Sequence, residues 1–546
     1  MTLSVTATSW LLAFIPMLIL LVLMLGFKWG VSDAGPISWL LAAAIAFFYL
    51  DTSVATVGYE SVKGTWSAIT VLYVVWASIL IYEVTREGGA FEPLRLGITR
   101  LLPDPLIQVL AFGWAFASFL QGVTGFGVPI AVCAPLLVGI GVRPLYAVII
   151  PLIGHAWNNT FGTLAVAWLG LKEVTEMDPT LALQTALYAS IFIWVLNLLG
   201  GFLVCWVYDK WRGIRAGLPV IIVMSGLQGG LTLALSQWND TLNGFIASTV
   251  AFVSLFLIAK LPRYRDAKPS NSHIFEESVR AGKGVEQSAA PGSDETQTTP
   301  ATAASSTMTF SQAFTPYYAL LIVTFGVLLI PPIRDALGAF SIGLDFPATT
   351  TGYGMERPET RLSMAPFTHA GTFLLAAAII GYIVFARIGA MSKGSIGRIL
   401  YHTVDKSIPS TIAIIALVAM SNVMAGSGAV FVLAQGVADA TGSGYGFLAP
   451  MVGGLGSFMT TSNLASNLLF GAFQMSTAEA TGLTMAAILG AQTAGAAAGN
   501  IIAPGNILLG TTTAGILGRE GDVLKVTLPL FLGVTIIIGI VVFLVA

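Results

Sequence analysis

Residues 458–473 read FMTTSNLASNLLFGAF, and residues 491–506 read AQTAGAAAGNIIAPGN. Far upstream, residues 119–132 read FLQGVTGFGVPIAV and residues 154–162 read GHAWNNTFG. All four stretches lie in apolar surroundings. Yet they carry Gly, Pro, Ser, Thr and Asn where a plain membrane helix carries Leu and Val. Hydrocarbon cannot hydrogen-bond an opened backbone, so such stretches survive in a membrane only where protein or a watery cavity surrounds them. A pair of interruptions at corresponding places in two halves of a chain points to the substrate site of a transporter.

The rest of the chain has a membrane composition. Of its 546 residues, 55% are hydrophobic and 10% are charged, against about 25% charged in a soluble domain. Mean hydropathy is +0.84. Apolar runs of about 20 residues, the length needed to cross a bilayer core, recur along most of the sequence. A net charge of −2 offers no footing for nucleic acid. There is no H-E-x-x-H, no paired C-x-x-C and no Walker loop, so neither a metal nor a cofactor is expected. No base is paired with a nucleophile, so the chain does not read as an enzyme. Cys133 and Cys205 fall inside apolar spans and read as packed thiols. The first apolar run, Trp10 to Phe27, has no Lys or Arg before it. That differs from a secretory signal, and the run reads as a retained helix.

The expected fold is an all-α polytopic membrane protein with about 12 transmembrane helices and two re-entrant hairpins. The helices are expected near 10–27, 36–51, 66–85, 144–171, 180–208, 217–236, 241–260, 315–331, 367–386, 408–437, 480–517 and 525–545. The hairpins are expected at 105–142 and 444–475. Residues 263–310 are rich in Ser, Thr, Ala and Gly, and read as a flexible linker between an N-terminal half (1–262) and a C-terminal half (311–546). Basic residues cluster in alternate loops: Arg86, Arg95 and Arg100; Lys210, Arg212 and Arg215; Lys260, Arg263, Arg265 and Lys268; Arg387, Lys393, Arg398 and Lys406. With those loops and the linker in the cytoplasm of a cell membrane, both termini lie outside. The first hairpin then opens inward and the second outward, an inverted-topology repeat.

Five blocks carry a family likeness. They are FLQGVTGFGVPIAVCAPLLVGIGVRPLYA (119–147), YDKWRGIRAGLPVIIV (208–223), GSFMTTSNLASNLLFGAFQ (456–474), AGNIIAPGNILLG (498–510) and GILGREGDVLKVTLP (515–529). In this order they resemble the signatures of the L-lactate permease family. The resemblance implies import of lactate, glycolate and related 2-hydroxy monocarboxylates together with protons. This chain departs from the family pattern at several places. The family usually has acidic residues where Gln121 and Asn463 stand, and a lysine where Asn500 stands. It tends to have Asn in place of His155, and Ser-Pro-Gln in place of Ala503-Pro504-Gly505. Three charges are thus replaced by neutral amides, which points to altered coupling or an altered substrate.

A small carboxylate inside a membrane needs donors and a positive field. Gly122, Gly125 and Gly127 let the backbone come close to a ligand, with Phe126 between them, Gln121 at the edge and Thr124 adding a hydroxyl. A helix restarting near Pro129 would aim its positive end at an anion. Thr461, Ser462, Asn463, Ser466 and Asn467 crowd the second hairpin. Asn158 and Asn159 interrupt one long helix; Asn500 and Asn506 interrupt its counterpart. Amides offer both donors and an acceptor, which suits a hydroxyl beside a carboxylate. Small residues, Ser and Thr also serve close helix packing, and any one of these positions could be doing only that. His155 alone among the histidines lies deep in an apolar stretch, and is the candidate proton carrier. A sodium ion held by neutral oxygens at 460–467 is the alternative coupling. The remaining partners expected are the organic anion, the lipid bilayer and a possible second copy of the chain.

Overall fold

The computed structural model describes residues 5–27, 29–125, 127–266, 272–280, 308–354 and 356–546. The expected linker at 263–310 falls largely outside these residues. The chain starts with Ala7–Leu21, capped by a reciprocal Thr6–Ser9 box and continued by a π segment at Val22–Gly26. Val31–Tyr49 and Val54–Glu87 follow. A short amphipathic helix, Phe91–Leu101, leads to the first hairpin. Its rising arm is Pro105–Leu110, a π segment Ala111–Phe116, and Ala117–Val123. Its returning arm is Val128–Gly139. The second hairpin pairs Tyr445–Thr460 with Asn463–Thr481.

Both interrupted helices are broken where the Asn-rich stretches lie. Pro144–Ala156 gives way to a single 3-10 turn at Trp157–Asn159 before Gly162–Thr175 begins. Met485–Gly499 stops before Pro504–Thr513, because proline at a helix's first position cannot continue the helix before it. Pro179–Ser236 carries a sharp break at Asp209 and Lys210, and Asn243–Ile258 follows it. Later come Thr315–Leu328, Ala370–Arg387 and the closing Glu520–Val545.

Three expectations need correction. The helix expected at 408–437 is two elements, Ser395–Gly426 and Ala429–Thr441, separated at Gly428, whose φ of +81° turns the chain. The helix expected at 315–331 bends by 84° into Pro331–Gly338. Beyond it lie two short antiparallel ribbons, Ile342–Phe346 with Thr360–Met364 and Thr349–Thr350 with Glu356–Arg357. The chain remains overwhelmingly helical. Among the described residues, nine helices are long and apolar enough to cross a membrane alone, or ten if the bent pair is one span. This is fewer than twelve because Pro179–Ser236, expected as two helices, counts once and the first broken helix, 144–175, is not among them, whereas the second counts as one span, Met485–Thr513.

Val54–Glu87 packs lengthwise on Ser395–Gly426. The approach is backbone to backbone: a Cβ on Gly64 would lie 2.6 Å from Ala419 Cα. Small residues let membrane helices close up in this way. The hairpins, the broken helices and Pro179–Ser236 pack together beside that pair. Some basic residues contact distant parts of the chain. Arg398 pairs with Glu87 at 2.5 Å, Lys406 with Glu83 at 2.6 Å, and Arg143 N donates to Ile274 O at 2.7 Å. Cys133 and Cys205 are free and buried.

Glu60, Glu83 and Lys63 lie toward helix ends, where water would be the simple expectation. Instead they are 3%, 1% and 6% exposed, and ion pairs hold them. Arg357 bridges Glu60 at 3.2 Å and Glu176 at 2.5 Å, and Lys63 reaches Glu176 at 2.9 Å.

Candidate functional site

The two breaks and the second hairpin's tip meet around a cavity of about 60 Å³. That is several times the ~10–15 Å³ a single water needs. It is lined by Gln121, Gly127, His155, Asn159, Thr461, Ser462, Asn463, Asn500 and Asn506, together with Thr163, Val166, Ala167 and Leu464. No Asp, Glu, Lys or Arg is among the lining residues. Phe126 lies outside the described residues.

Local backbone explains why these side chains converge. Gly125 (φ +59°) and Gly127 (φ +79°) turn the first hairpin through conformations that cost an L-residue energy. A Cβ on Gly127 would meet Leu509 Cδ2 at 2.5 Å. Thr461 (φ +57°) turns the second tip, and Ser462 Oγ accepts from Ala465 N at 3.3 Å to start the next helix. Thr163, Leu164 and Ala165 all have positive φ, so the helix after the first break begins strained. Such strain persists only where the surroundings impose it, and it clusters at functional sites.

The consequence is a cavity ringed by helix ends of both polarities. Gly127, Asn463, Asn506 and Thr163 stand at helix starts. Gln121, His155, Thr461 and Asn500 stand at helix ends. Helix starts favour an anion, and helix ends favour a cation.

Not every expected residue faces the cavity. Gly122 is a packing position, since a Cβ there would approach Ser248 Oγ at 2.9 Å and Phe245 Cα at 3.1 Å. Thr124 Oγ1 donates back to Leu120 O at 2.8 Å. Asn158 Nδ2 donates to Ser118 O at 2.9 Å and Gly244 O at 3.2 Å, tying the first break to the first hairpin. Ser466 Oγ donates to Gly453 O at 2.7 Å. Asn467 Nδ2 donates to Ala167 O and Thr493 Oγ1, both at 3.0 Å, tying the second hairpin to the helix beyond the first break. Gly125 turns the chain beside the cavity without lining it.

Sequence reasoning passed over Thr163, Gln474, Gln492 and Thr493 as site residues, and named Thr160 only as part of the first break. Thr493 Oγ1 lies 3.2 Å from Thr160 Oγ1, and Asn463 Nδ2 donates to Thr160 Oγ1 at 3.2 Å. Behind them, Gln492 Nε2 donates to Ser466 Oγ at 3.1 Å, Gln474 Nε2 to Gln492 Oε1 at 2.9 Å, and Tyr445 Oη to Gln474 Oε1 at 2.7 Å. The available signal was two glutamines inside helices made mostly of small and apolar residues. Asn500 Nδ2 donates to Thr461 O at 3.3 Å, and Asn506 Nδ2 to Asn500 Oδ1 at 2.8 Å, so the second break braces the tip it faces.

Many apolar helices around a polar, uncharged chamber at the meeting of broken segments make the build of a membrane permease. The family model described as L-lactate permease matches residues 9–546, and the chain belongs to that family. It is 29% identical to the L-lactate permease of Halalkalibacterium halodurans, covering 98% of this chain and 96% of that one. It is 27% identical to the glycolate permease of Escherichia coli strain K12, covering 98% and 95%. A solved structure, the Alcanivorax borkumensis YdaH transporter, aligns over 87% of this chain and 86% of its own at 15% identity, with a TM-score of 0.39. These relatives are permeases rather than enzymes.

Proposed function

We propose that the chain is a secondary active transporter of small organic monocarboxylates, with 2-hydroxy acids such as lactate and glycolate as its substrates. The carrying observation is the uncharged cavity ringed by both kinds of helix end. It offers hydrogen-bond donors and partial positive charge to a carboxylate without a buried cation that would hold it too tightly. Family membership narrows the class of solute. Uptake of labelled lactate or glycolate into proteoliposomes is the test. Accumulation against a gradient under an imposed ion gradient is the expected result. Flux that only equilibrates would make the protein a passive facilitator, and no flux of any small carboxylate would end the reading.

The coupling ion in this proposal is the proton, with His155 as the titrating group at depth. The neutral oxygens of residues 460–467 and the lack of a carboxylate in the lining support sodium as the second reading. His155→Gln abolishes pH-driven uptake in the first case and spares it in the second, where uptake instead requires sodium.

The proposed architecture is two inverted halves, 1–262 and 311–546, joined by the linker 263–310. Recurrence of the element order supports it. Val54–Glu87, Phe91–Leu101, the first hairpin and the first broken helix are matched in sequence by Ser395–Gly426, Ala429–Thr441, the second hairpin and the second broken helix. About twelve spans and two re-entrant hairpins follow from this scheme. The alternation of basic loops along the chain supports a cytoplasmic linker with both termini outside a cell membrane. A homodimer fits the same scheme.

A further inference from the structure

His155 is 2% exposed, and its ring borders the cavity. Its Nδ1 lies 2.5 Å from Pro151 O, one helical turn back. A carbonyl oxygen only accepts, so Nδ1 carries the hydrogen. In the neutral ring Nε2 then holds a lone pair. No described residue hydrogen-bonds to Nε2, and His155 is one of the residues that line the cavity.

The other polar groups of the wall are amides and hydroxyls. Gln121 and Asn159 carry amides, which present a donor or an acceptor after half a turn. Thr163 Oγ1 donates to Gln121 O at 3.3 Å, Thr461 Oγ1 donates to Thr460 O at 2.7 Å, and Ser462 Oγ accepts from Ala465 N at 3.3 Å. Asn159 Nδ2 has no partner among the described residues and offers a donor suited to a carboxylate. Asn500 Oδ1 is already occupied by Asn506. Asn506 Nδ2 donates to Asn500 O at 3.2 Å as well, which leaves Asn506 Oδ1 as an acceptor; the imidazole Nε2 is a second acceptor set by the scaffold, and it has no partner among the described residues. Val166, Ala167 and Leu464 add a small apolar surface to the same wall.

We propose that His155 Nε2 is the acceptor that recognises the 2-hydroxyl of the substrate, making His155 a specificity-determining residue. A hydroxy acid donates to that lone pair. A keto acid of the same size presents an oxygen lone pair there and is repelled, and a plain carboxylic acid leaves Nε2 buried and unpaired. The inference rests on the monocarboxylate reading. The same lone pair cannot accept a substrate hydroxyl and carry a coupling proton at once, so this inference goes with the second reading of coupling, in which sodium drives uptake and His155 carries no proton.

The test is competition of lactate uptake by glycolate, pyruvate and propionate in proteoliposomes of the full chain, with wild type, His155→Phe and His155→Asn. Wild type is expected to prefer lactate over pyruvate and over propionate by about tenfold or more. His155→Phe should bring the lactate-to-propionate ratio near one. His155→Asn, with a rotatable amide, should retain preference for lactate over propionate but lose discrimination against pyruvate. That ratio is a readout a merely structural role would not move. Equal competition by pyruvate, propionate and lactate in wild type overturns the proposal even if both variants fail to fold. So does an unchanged set of ratios in the variants. Absence of uptake of every monocarboxylate by wild type overturns the transporter reading itself.

Discussion

An asparagine inside a membrane helix announces polarity but not its partner. Asn158, Asn159, Asn463 and Asn467 looked alike in the sequence. In the structure, Asn159 and Asn463 border the cavity while Asn158 and Asn467 brace one element against another. Asn467 is fully buried and satisfies the Ala167 carbonyl. Asn467→Leu leaves that carbonyl unpaired, and is expected to cost about 1–3 kcal/mol, read as a lower melting temperature in detergent alongside lost uptake. Ala165 is a residue of another kind: its φ of +63° strains an L-residue but not glycine. Ala165→Gly is expected to raise stability by about 1 kcal/mol, because relief of strain outweighs the added freedom of the unfolded chain. A lower melting temperature for that variant would show that the left-handed run at 163–165 is absent. No sequence pattern announced that run.

At the scale of elements, the hairpins and both helix breaks were legible because Gly, Pro and Asn clusters interrupt apolar runs. The turn at Gly428 was not legible, since a lone glycine in a long helical pattern is commonly tolerated. Nor were the ribbons at 342–364, whose strands span only two to five residues and whose pairing depends on register. The first tip is where an element's geometry depends most on one residue type. Gly127→Ala forces a Cβ into a left-handed position beside Leu509. It is expected to destabilise by about 1–2 kcal/mol and to reduce uptake more than stability, as seen by comparing transport at matched folded amounts. Retained uptake with full stability would show that the tip has room to relax.

The whole molecule is tied across one face by charges that span the sequence. Arg357, on a ribbon, joins Glu60 on one helix to Glu176 at the end of another, with Lys63 completing the set. Removing Arg357 strands the buried Glu60, so Arg357→Ala is expected to cost about 3 kcal/mol. Burial alone would raise the Glu176 carboxyl, but Arg357 and Lys63 outweigh it and hold it below the usual carboxylate range. Because its affinity for a proton is lower in the folded state, the contribution is complete at neutral pH and is lost as pH falls below that range. The melting difference between wild type and Glu176→Gln should therefore shrink on acidification; a gap that widens would reverse the assignment.

The sequence by itself determined the membrane class, the helical build, the family and the positions of both breaks, because each rests on local composition against the demands of hydrocarbon. Which polar residues share one chamber, which serve as braces, and which charges are sheltered by partners hundreds of residues away were decided only by tertiary structure. The reason is physical: solvation and hydrogen-bond pairing are properties of neighbourhood in space. In a membrane protein, residues such as Asn463 and Thr160, 303 positions apart in sequence, become neighbours only when the chain has folded.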